Sequence, residues 1–265
     1  MDGEIFITPI PVLQDNYVWV ISNKSHAIVV DPGDAEPVIN YLKLNKLILS
    51  AILITHHHKD HTGGVEGLIK NFKCEVYSHP TTKLDCLKHN VAEGSSVILD
   101  GFPKFSILEI PGHTLDHIAF YFQNNLFCGD TLFSAGCGRV FEGTYAQMYR
   151  SLLKIKSLPA STYIYCAHEY TLQNLFFAKE VEPNNKFIEQ KIIEVSNLQK
   201  NKNPSLPSIL SDELEINPFI RCDIQVVARS AENYIGHSLK NEDEIFKVLR
   251  EWKNNFVSDV NKNHI

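Results

Sequence analysis

The residues best suited to chemistry lie in one run, Thr55-His56-His57-His58-Lys59-Asp60-His61-Thr62-Gly63-Gly64, which holds four of the chain's twelve histidines. Neutral imidazole and carboxylate are good ligands for zinc and similar ions. If the segment is extended, the spacing of two lets His56 and His58 converge while His57 points away. Asp60 and His61 follow from the next bend and can serve a second ion. Gly63 and Gly64 remove side-chain bulk where backbone must pass close by. Three further candidates each stand just past a strand-like run: His113 in Ile110-Pro111-Gly112-His113, Asp130 in Cys128-Gly129-Asp130, and His168 in Tyr165-Cys166-Ala167-His168. Each alone reads as an ordinary loop or turn residue. Together with the first run they give seven ligands, enough for two ions sharing one carboxylate and one water.

Loops at strand ends are where an α/β scaffold usually holds its chemistry, and these donors stand among such strands. Strand-like runs are Ile5–Ile10, Tyr17–Ser22, Ala27–Val30, Glu75–Ser78, Phe105–Ile110, His117–Phe122, Leu126–Cys128 and Tyr163–Cys166. Leu47–Ile54 is continuously apolar, as expected of a strand covered on both faces. Ala35–Asn45 has helical spacing, with Val38, Leu42 and Leu44 on or near one face, and a helix is expected over Tyr145–Lys156. After about Tyr170 the texture changes. Leu172–Val181, Lys186–Asn201 and Glu242–Asn255 read as helices, Asn203–Pro218 as a proline-containing connector, and no strong strand pattern is visible. The expected division is an α/β domain over residues 1–170 and a helical domain over 171–265.

The 265 residues, 44% hydrophobic and 21% charged, are ample for a packed core. A net charge of -6 argues against a general nucleic-acid binder. No stretch joins basic residues to an apolar run as a signal peptide does, and none approaches membrane-spanning length. Six scattered cysteines without a CxxC pair read as free thiols in a reducing compartment, so a cytoplasmic location is expected; the chain is separately expected to be a monomer. Cys137, in a Gly-Cys-Gly loop without a neighbouring base, reads as packing. Asp31 is a candidate carboxylate for orienting the metal loop, and His117 a candidate buried partner of the ligands. His26, His79, His89, His237 and His264 read as surface residues.

The order His56-x-His58-x-Asp60-His61, then His113, Asp130 and His168, resembles the metallo-β-lactamase superfamily. Within it the chain looks most like glyoxalase II, the hydroxyacylglutathione hydrolases. That likeness rests on Val30-Asp31-Pro32-Gly33-Asp34-Ala35, Gly129-Asp130-Thr131-Leu132-Phe133, Gly136–Thr144 and Ala167-His168-Glu169-Tyr170-Thr171. Asn217-Pro218-Phe219 with Arg221, and Leu249-Arg250-Glu251-Trp252-Lys253, extend it toward the C-terminus. The resemblance implies an αββα metallo-β-lactamase-type sandwich with a helical C-terminal domain. It assigns His56, His58 and His113 to one divalent ion and Asp60, His61 and His168 to another, with Asp130 bridging. Zinc is the first expectation, and the donor set also accepts iron or manganese. One departure stands out: Asp116, where the family usually has glycine, so a small local adjustment of backbone is expected there.

The same resemblance implies a substrate, a glutathione thioester, split by a hydroxide held between two ions roughly 3.5–4 Å apart. A thiolate leaving group, with an ordinary thiol pKa of about 8.5, departs without a strong general acid, and the sequence offers no clear one. Arg139 and Phe141 are then expected beside the tripeptide, with Tyr170 lining the same cleft and Asn174 a weaker candidate. Arg250 and Lys253, three apart and so on one helix face, would grip carboxylates. Without the resemblance they read as a solvated helix edge. Phe141 lacks the hydroxyl that a tyrosine would bring. Alternatives weighed are a mononuclear-iron persulfide dioxygenase, a β-lactamase, a tRNA-processing nuclease and a structural metal module. The last fits poorly because structural sites close around four ligands.

Overall fold

The computed structural model describes residues 4–86 and 88–257. His264 lies outside them. The first sheet carries β1 (Phe6–Val12), β2 (Asn16–Ser22), β3 (His26–Val30), β4 (Ile48–Leu53), β5 (Glu75–Ser78) and β6 (His89–Asn90), adjacent in that order. β1, β2 and β3 pair antiparallel; β3 to β6 run parallel. The second sheet is built from β7 (Ser96–Val97), β8 (Phe105–Glu109), β9 (Ile118–Phe122) and β10 (Asn125–Gly129). After the small hairpin of β11 (Leu132–Phe133) and β12 (Gly136–Cys137), it is completed by β13 (Tyr163–Cys166) and β14 (Ser208–Ile209).

The strand sequences explain the layering. In β2 and β3, Val18, Val20, Ala27 and Val29 face one way and pack with α1 (Glu36–Leu44) and α3 (Val65–Asn71) through Val38, Leu42, Val65 and Leu68. Their alternate residues Trp19, Ile21, Ile28 and Val30 face the other way and meet Phe105, Ile107, Phe120 and Phe127 of the second sheet. Both faces are buried, which is why these strands are apolar throughout. A register shift between Ala27 and Ile28 against β4 lets Leu49 and Ile52 share the helix side while Ala51 and Leu53 face the second sheet. On the far side lies α4 (Tyr145–Lys156), which buries Met148, Leu152 and Ile155. Thr144 and Gln147 close its N-terminus reciprocally, a capping box. Between β4 and α3 runs the short α2 (Lys59–Thr62).

The C-terminal part holds α5 (Thr171–Val181), α6 (Lys186–Lys200), α7 (Leu210–Ile216), α8 (Gln225–Ile235) and α9 (Glu242–Asn255). The αββα architecture agrees with the expectation, and a helical C-terminal part follows it. Three details correct the sequence reading. The stretch 203–218, expected as a connector, contains β14, which pairs with β13 of the second sheet, and α7. α8 was not anticipated. Leu44 is exposed rather than on the buried face of α1, because it stands two residues from Leu42 and so on the opposite side. No helix among the described residues is long and apolar enough to cross a membrane.

Candidate metal centre

The loops that leave β4, β10 and β13, and the one that enters β9, meet at one end of the sandwich. The turn after β3 underlies them: Asp31 adopts a positive φ of 52°, and its carboxylate accepts the Thr55 N–H at 2.8 Å and the Thr55 hydroxyl at 2.6 Å. The same carboxylate faces His61 Nδ1 at 3.0 Å, so it ties the start of the histidine run to its end. Gly33, Gly63 and Gly64 are required by this crossing of backbones. A Cβ on Gly63 would stand 2.8 Å from the Gly33 and Lys59 oxygens, and one on Gly64 2.6 Å from Asp34 C.

All seven sequence-predicted donors converge. His56, His58 and His113 bring ligand atoms within 4.8 Å of one another, and so do Asp60, His61 and His168. Asp130 lies between the two sets. Its Oδ1 is 3.4 Å from His61 Nε2 and 3.3 Å from His168 Nε2, while Oδ2 is 3.4 Å from His113 Nε2. Asp60 Oδ2 is 3.5 Å from His61 Nε2 and 3.4 Å from His168 Nε2. These separations are long for charge-assisted hydrogen bonds. They match donors around one tetrahedral ion, which at 2.0–2.1 Å from the ion stand about 3.3 Å apart. His56 Nε2, His61 Nε2 and Asp130 Oδ1 are buried without a hydrogen-bond partner, a costly arrangement unless a cation satisfies them. The residues present therefore fit two divalent cations.

Electrostatics point the same way. Burial would raise the Asp130 and Asp60 carboxyl groups, but His61 and His168 outweigh it and hold both below the usual range. Burial would lower His168, yet Asp130 and Asp60 bring it up to about 10, and Asp130 with Asp31 raises His61. Cations and protons compete for these nitrogens, so metal binding there releases protons. His117 is lowered to about 3 by burial. Its unprotonated Nε2 accepts the Asp130 N–H at 3.1 Å, and its ring stacks on His56 with centroids 4.5 Å apart.

Two positioning groups were missed in the sequence. Asp15 Oδ1 faces His168 Nδ1 at 2.8 Å, and Asn16 Nδ2 donates to Asp60 Oδ2 at 3.1 Å. Tyr17 N–H to Ala167 O and Glu169 N–H to Asp15 O strap this turn onto the loop that carries His168. The only sequence signal was the polar cluster Gln14-Asp15-Asn16, which reads as a hairpin turn.

The cluster opens into a cavity of about 530 Å³ that also meets Arg139, Phe141, Tyr170, Arg250 and Lys253. Tyr170 stacks flat on His168, with centroids 4.7 Å apart. Arg250 is only 3% exposed, which excludes the solvated-edge reading. It donates to Cys137 O at 2.7 Å and to Asn254 Oδ1 at 3.2 Å, and lies over the Phe219 ring. Lys253 is half-buried over Phe177, and burial together with the Arg250 charge lowers it to about 8. Asn174 is buried at the cavity wall and donates to Ser134 O. Cys137 is buried, as expected of a packing residue. His57 points away from the cluster, toward Asp116 and Glu142. Asp116 takes no left-handed backbone; the adjustment there is in side-chain contacts. His89 and His237 are exposed, whereas His26 and His79 are half-buried.

Comparison with known proteins adds the following. Residues 12–168 match the metallo-beta-lactamase superfamily, and residues 169–256 match the hydroxyacylglutathione hydrolase C-terminus. A hydroxyacylglutathione hydrolase of Aeromonas hydrophila is 48% identical over 254 residues, covering 94% of this chain and 99% of that protein. One of Nitrosomonas europaea is 44% identical over 256 residues, covering 95% and 97%. Among solved structures, ETHE1 from Myxococcus xanthus aligns with a TM-score of 0.65 at 21% identity, covering 95% of this chain and 92% of that one, a likeness of fold.

Proposed function

The chain belongs to the hydroxyacylglutathione hydrolases of the metallo-beta-lactamase superfamily, and on that footing we propose that it hydrolyses S-(2-hydroxyacyl)glutathione thioesters. The named reaction is S-D-lactoylglutathione to D-lactate and glutathione, the second step of methylglyoxal detoxification. The observation that carries this reading is a single cavity lined by five of the seven metal donors, with His56 and His61 buried behind them, and by three basic side chains from two parts of the chain.

In this reading His56, His58 and His113 hold one cation, Asp60, His61 and His168 the other, and Asp130 lies between them. Two bound divalent cations supply Lewis acidity, bringing the pKa of water toward neutrality and polarising a carbonyl. Zinc fits the nitrogen-rich donor set best, with iron and manganese as further candidates. Asp31 and Asp15 fix the rings of His61 and His168 through Nδ1, which leaves Nε2 of each directed into the site. Arg139, Arg250 and Lys253 receive the carboxylates of the tripeptide, and Phe141 and Tyr170 flank it. Asp60 and Asp130, both held ionised, are the carboxylates nearest the reacting centre. Water adds its oxygen to the acyl carbon and gives up both protons, the C–S bond breaks, and the thiolate leaves with the electron pair and takes up one proton, the other passing to solvent as the carboxylate forms. No acid is needed, because a thiol pKa is only about 8.5.

The division at residue 170 belongs to this proposal as a division of labour, with the cation donors before it and Arg250 and Lys253 after it. We place the protein in the cytoplasm, which the six free cysteines support, and propose that it acts as a monomer. A one-iron persulfide dioxygenase would leave Asp60, His61 and His168 with no cation to hold. The test is steady-state kinetics on S-D-lactoylglutathione, a β-lactam and glutathione persulfide, with metal content measured alongside. A larger kcat/KM on the β-lactam, or oxygen uptake with the persulfide, refutes the assignment.

A further inference from the structure

Outside the cation donors, a second set of polar side chains joins the loops around the site. The His57 ring has Nδ1 2.9 Å from Asp116 Oδ1 and Nε2 3.3 Å from Glu142 Oε1. The other carboxylate oxygens are also engaged: Asp116 Oδ2 accepts the Thr82 hydroxyl at 2.6 Å, and Glu142 Oε2 accepts the Leu115 N–H at 2.9 Å. Four separate loops, around residues 57, 82, 116 and 142, are thereby joined. The backbone reinforces the last pair, since Phe141 N–H and Glu142 N–H reach His113 O and Gly143 N–H reaches Gly112 O at 3.1 Å. His113 Nδ1 faces Arg139 O at 2.8 Å. Phe141 sits at the centre of this construction. Its side chain is largely exposed to the cavity, and its ring lies 5.2 Å from the His113 ring and 5.9 Å from that of His58. No apolar packing comparable to a core fixes so exposed a ring. The segment that carries it is held by the Phe141 and Glu142 N–H groups on His113 O and by the Glu142 carboxylate on Leu115 N–H.

We infer that His57, Asp116 and Glu142 form a bracket that positions Phe141 at the mouth of the cavity, so that Asp116 and Glu142 are positioning residues for the substrate's tripeptide. This rests on the reading that Phe141 flanks a glutathione thioester. The three residues also bring ligand atoms within 4.8 Å of one another. A third cation is unnecessary, however, because both ring nitrogens and all four carboxylate oxygens already face a partner. Asp116 gains a specific use here: glycine at that position could offer His57 no carboxylate.

The test compares the metal-loaded full-length protein with Glu142→Gln, Asp116→Asn, Phe141→Ala and the double variant Glu142→Gln with Phe141→Ala. Glu142→Gln is expected to keep two metals per chain. It should speed amide exchange over residues 111–118 and 139–144 but not over 56–61. Its kcat/KM for S-D-lactoylglutathione should fall about five-fold, the worth of one hydrogen bond, mainly through KM. A small thioester lacking the tripeptide should change less than about two-fold. In the Phe141→Ala background Glu142→Gln should have no further effect, because its action passes through the ring. Asp116→Asn should follow Glu142→Gln in direction. A Glu142→Gln effect of full size without Phe141, unchanged exchange, or loss of a third equivalent of zinc from the parent's content would each overturn the bracket. If the parent fails to turn over the glutathione thioester, the proposed function falls, and the exchange measurements still decide the bracket.

Discussion

Replacing Lys253 with methionine keeps an unbranched side chain but removes the ammonium group, whose Nζ lies over the Phe177 ring. Its Nζ donates to Gln173 O at 3.1 Å and faces the same cavity as Arg250. Burial, then the Arg250 charge, lowers its pKa to about 8. Below that value the group is charged and can bind a carboxylate; as pH rises through about 8 the charge is lost. A bound carboxylate favours the charged form and so raises the pKa in the complex. In the parent, kcat/KM for the glutathione thioester should therefore decline on the alkaline side of pH 8, with KM rising and kcat holding. A charged hydrogen bond contributes about 1.5–3 kcal/mol. Lys253 already has Gln173 as a partner and is partly solvated, so the lower figure is appropriate. At about 1.4 kcal/mol per decade, KM should rise roughly ten-fold at neutral pH in Lys253→Met. The alkaline decline should flatten, and metal content should be unchanged. The assay is steady-state thioester hydrolysis on both sides of pH 8. An unchanged neutral KM, or the same alkaline decline in the variant, would refute the role given to Lys253.

Chelation should abolish thioester hydrolysis, and Asp130→Ala should lose metal together with activity; full activity with less than one metal per chain by elemental analysis would sink the two-cation reading. Asp15→Ala frees the His168 ring and should weaken metal binding about 10–100-fold, as read by competition with a chromophoric chelator. A Cβ on Gly138 would run into the Asp130 carbonyl oxygen, so Gly138→Ala should displace Asp130 and lower kcat by roughly 100-fold; wild-type metal content and kcat would contradict this.

Much of the site was legible because its residues stand at strand ends, where spacing and strand pattern mark them together. The ranges of β5, β13, α4 and α9 were readable from the sequence pattern. β6, β7, β11, β12 and β14 are two residues long, too short for a period-two pattern to register. α8 buries only Val227 and Ala231 and has no side-chain cap at its start, so its beginning was unmarked, although Gly236 ends it in the left-handed conformation. Asp15 and Asn16 were hidden for another reason. Their partners are distant in sequence, His168 lying 153 residues from Asp15 and Asp60 44 from Asn16, and nothing local distinguishes a turn aspartate from one that orients a ligand. The bracket around Phe141 was invisible in the same way, because it joins four loops that the sequence keeps apart.

The strand that enters from the C-terminal part has a consequence for how the chain can be divided. β14 covers β13 at the rim of the second sheet. Buried Glu213, just beyond it, accepts the Ala135 N–H at 2.8 Å, and Asn217 donates to Phe133 O and Gly136 O. A chain ending at 170 would bare a sheet edge able to template pairing with other chains. It would also strip the β11–β12 hairpin of the polar groups that satisfy its backbone. The C-terminal part completes the sheet as well as the cavity, so a cut between the two parts is expected to yield an aggregating fragment rather than a smaller hydrolase.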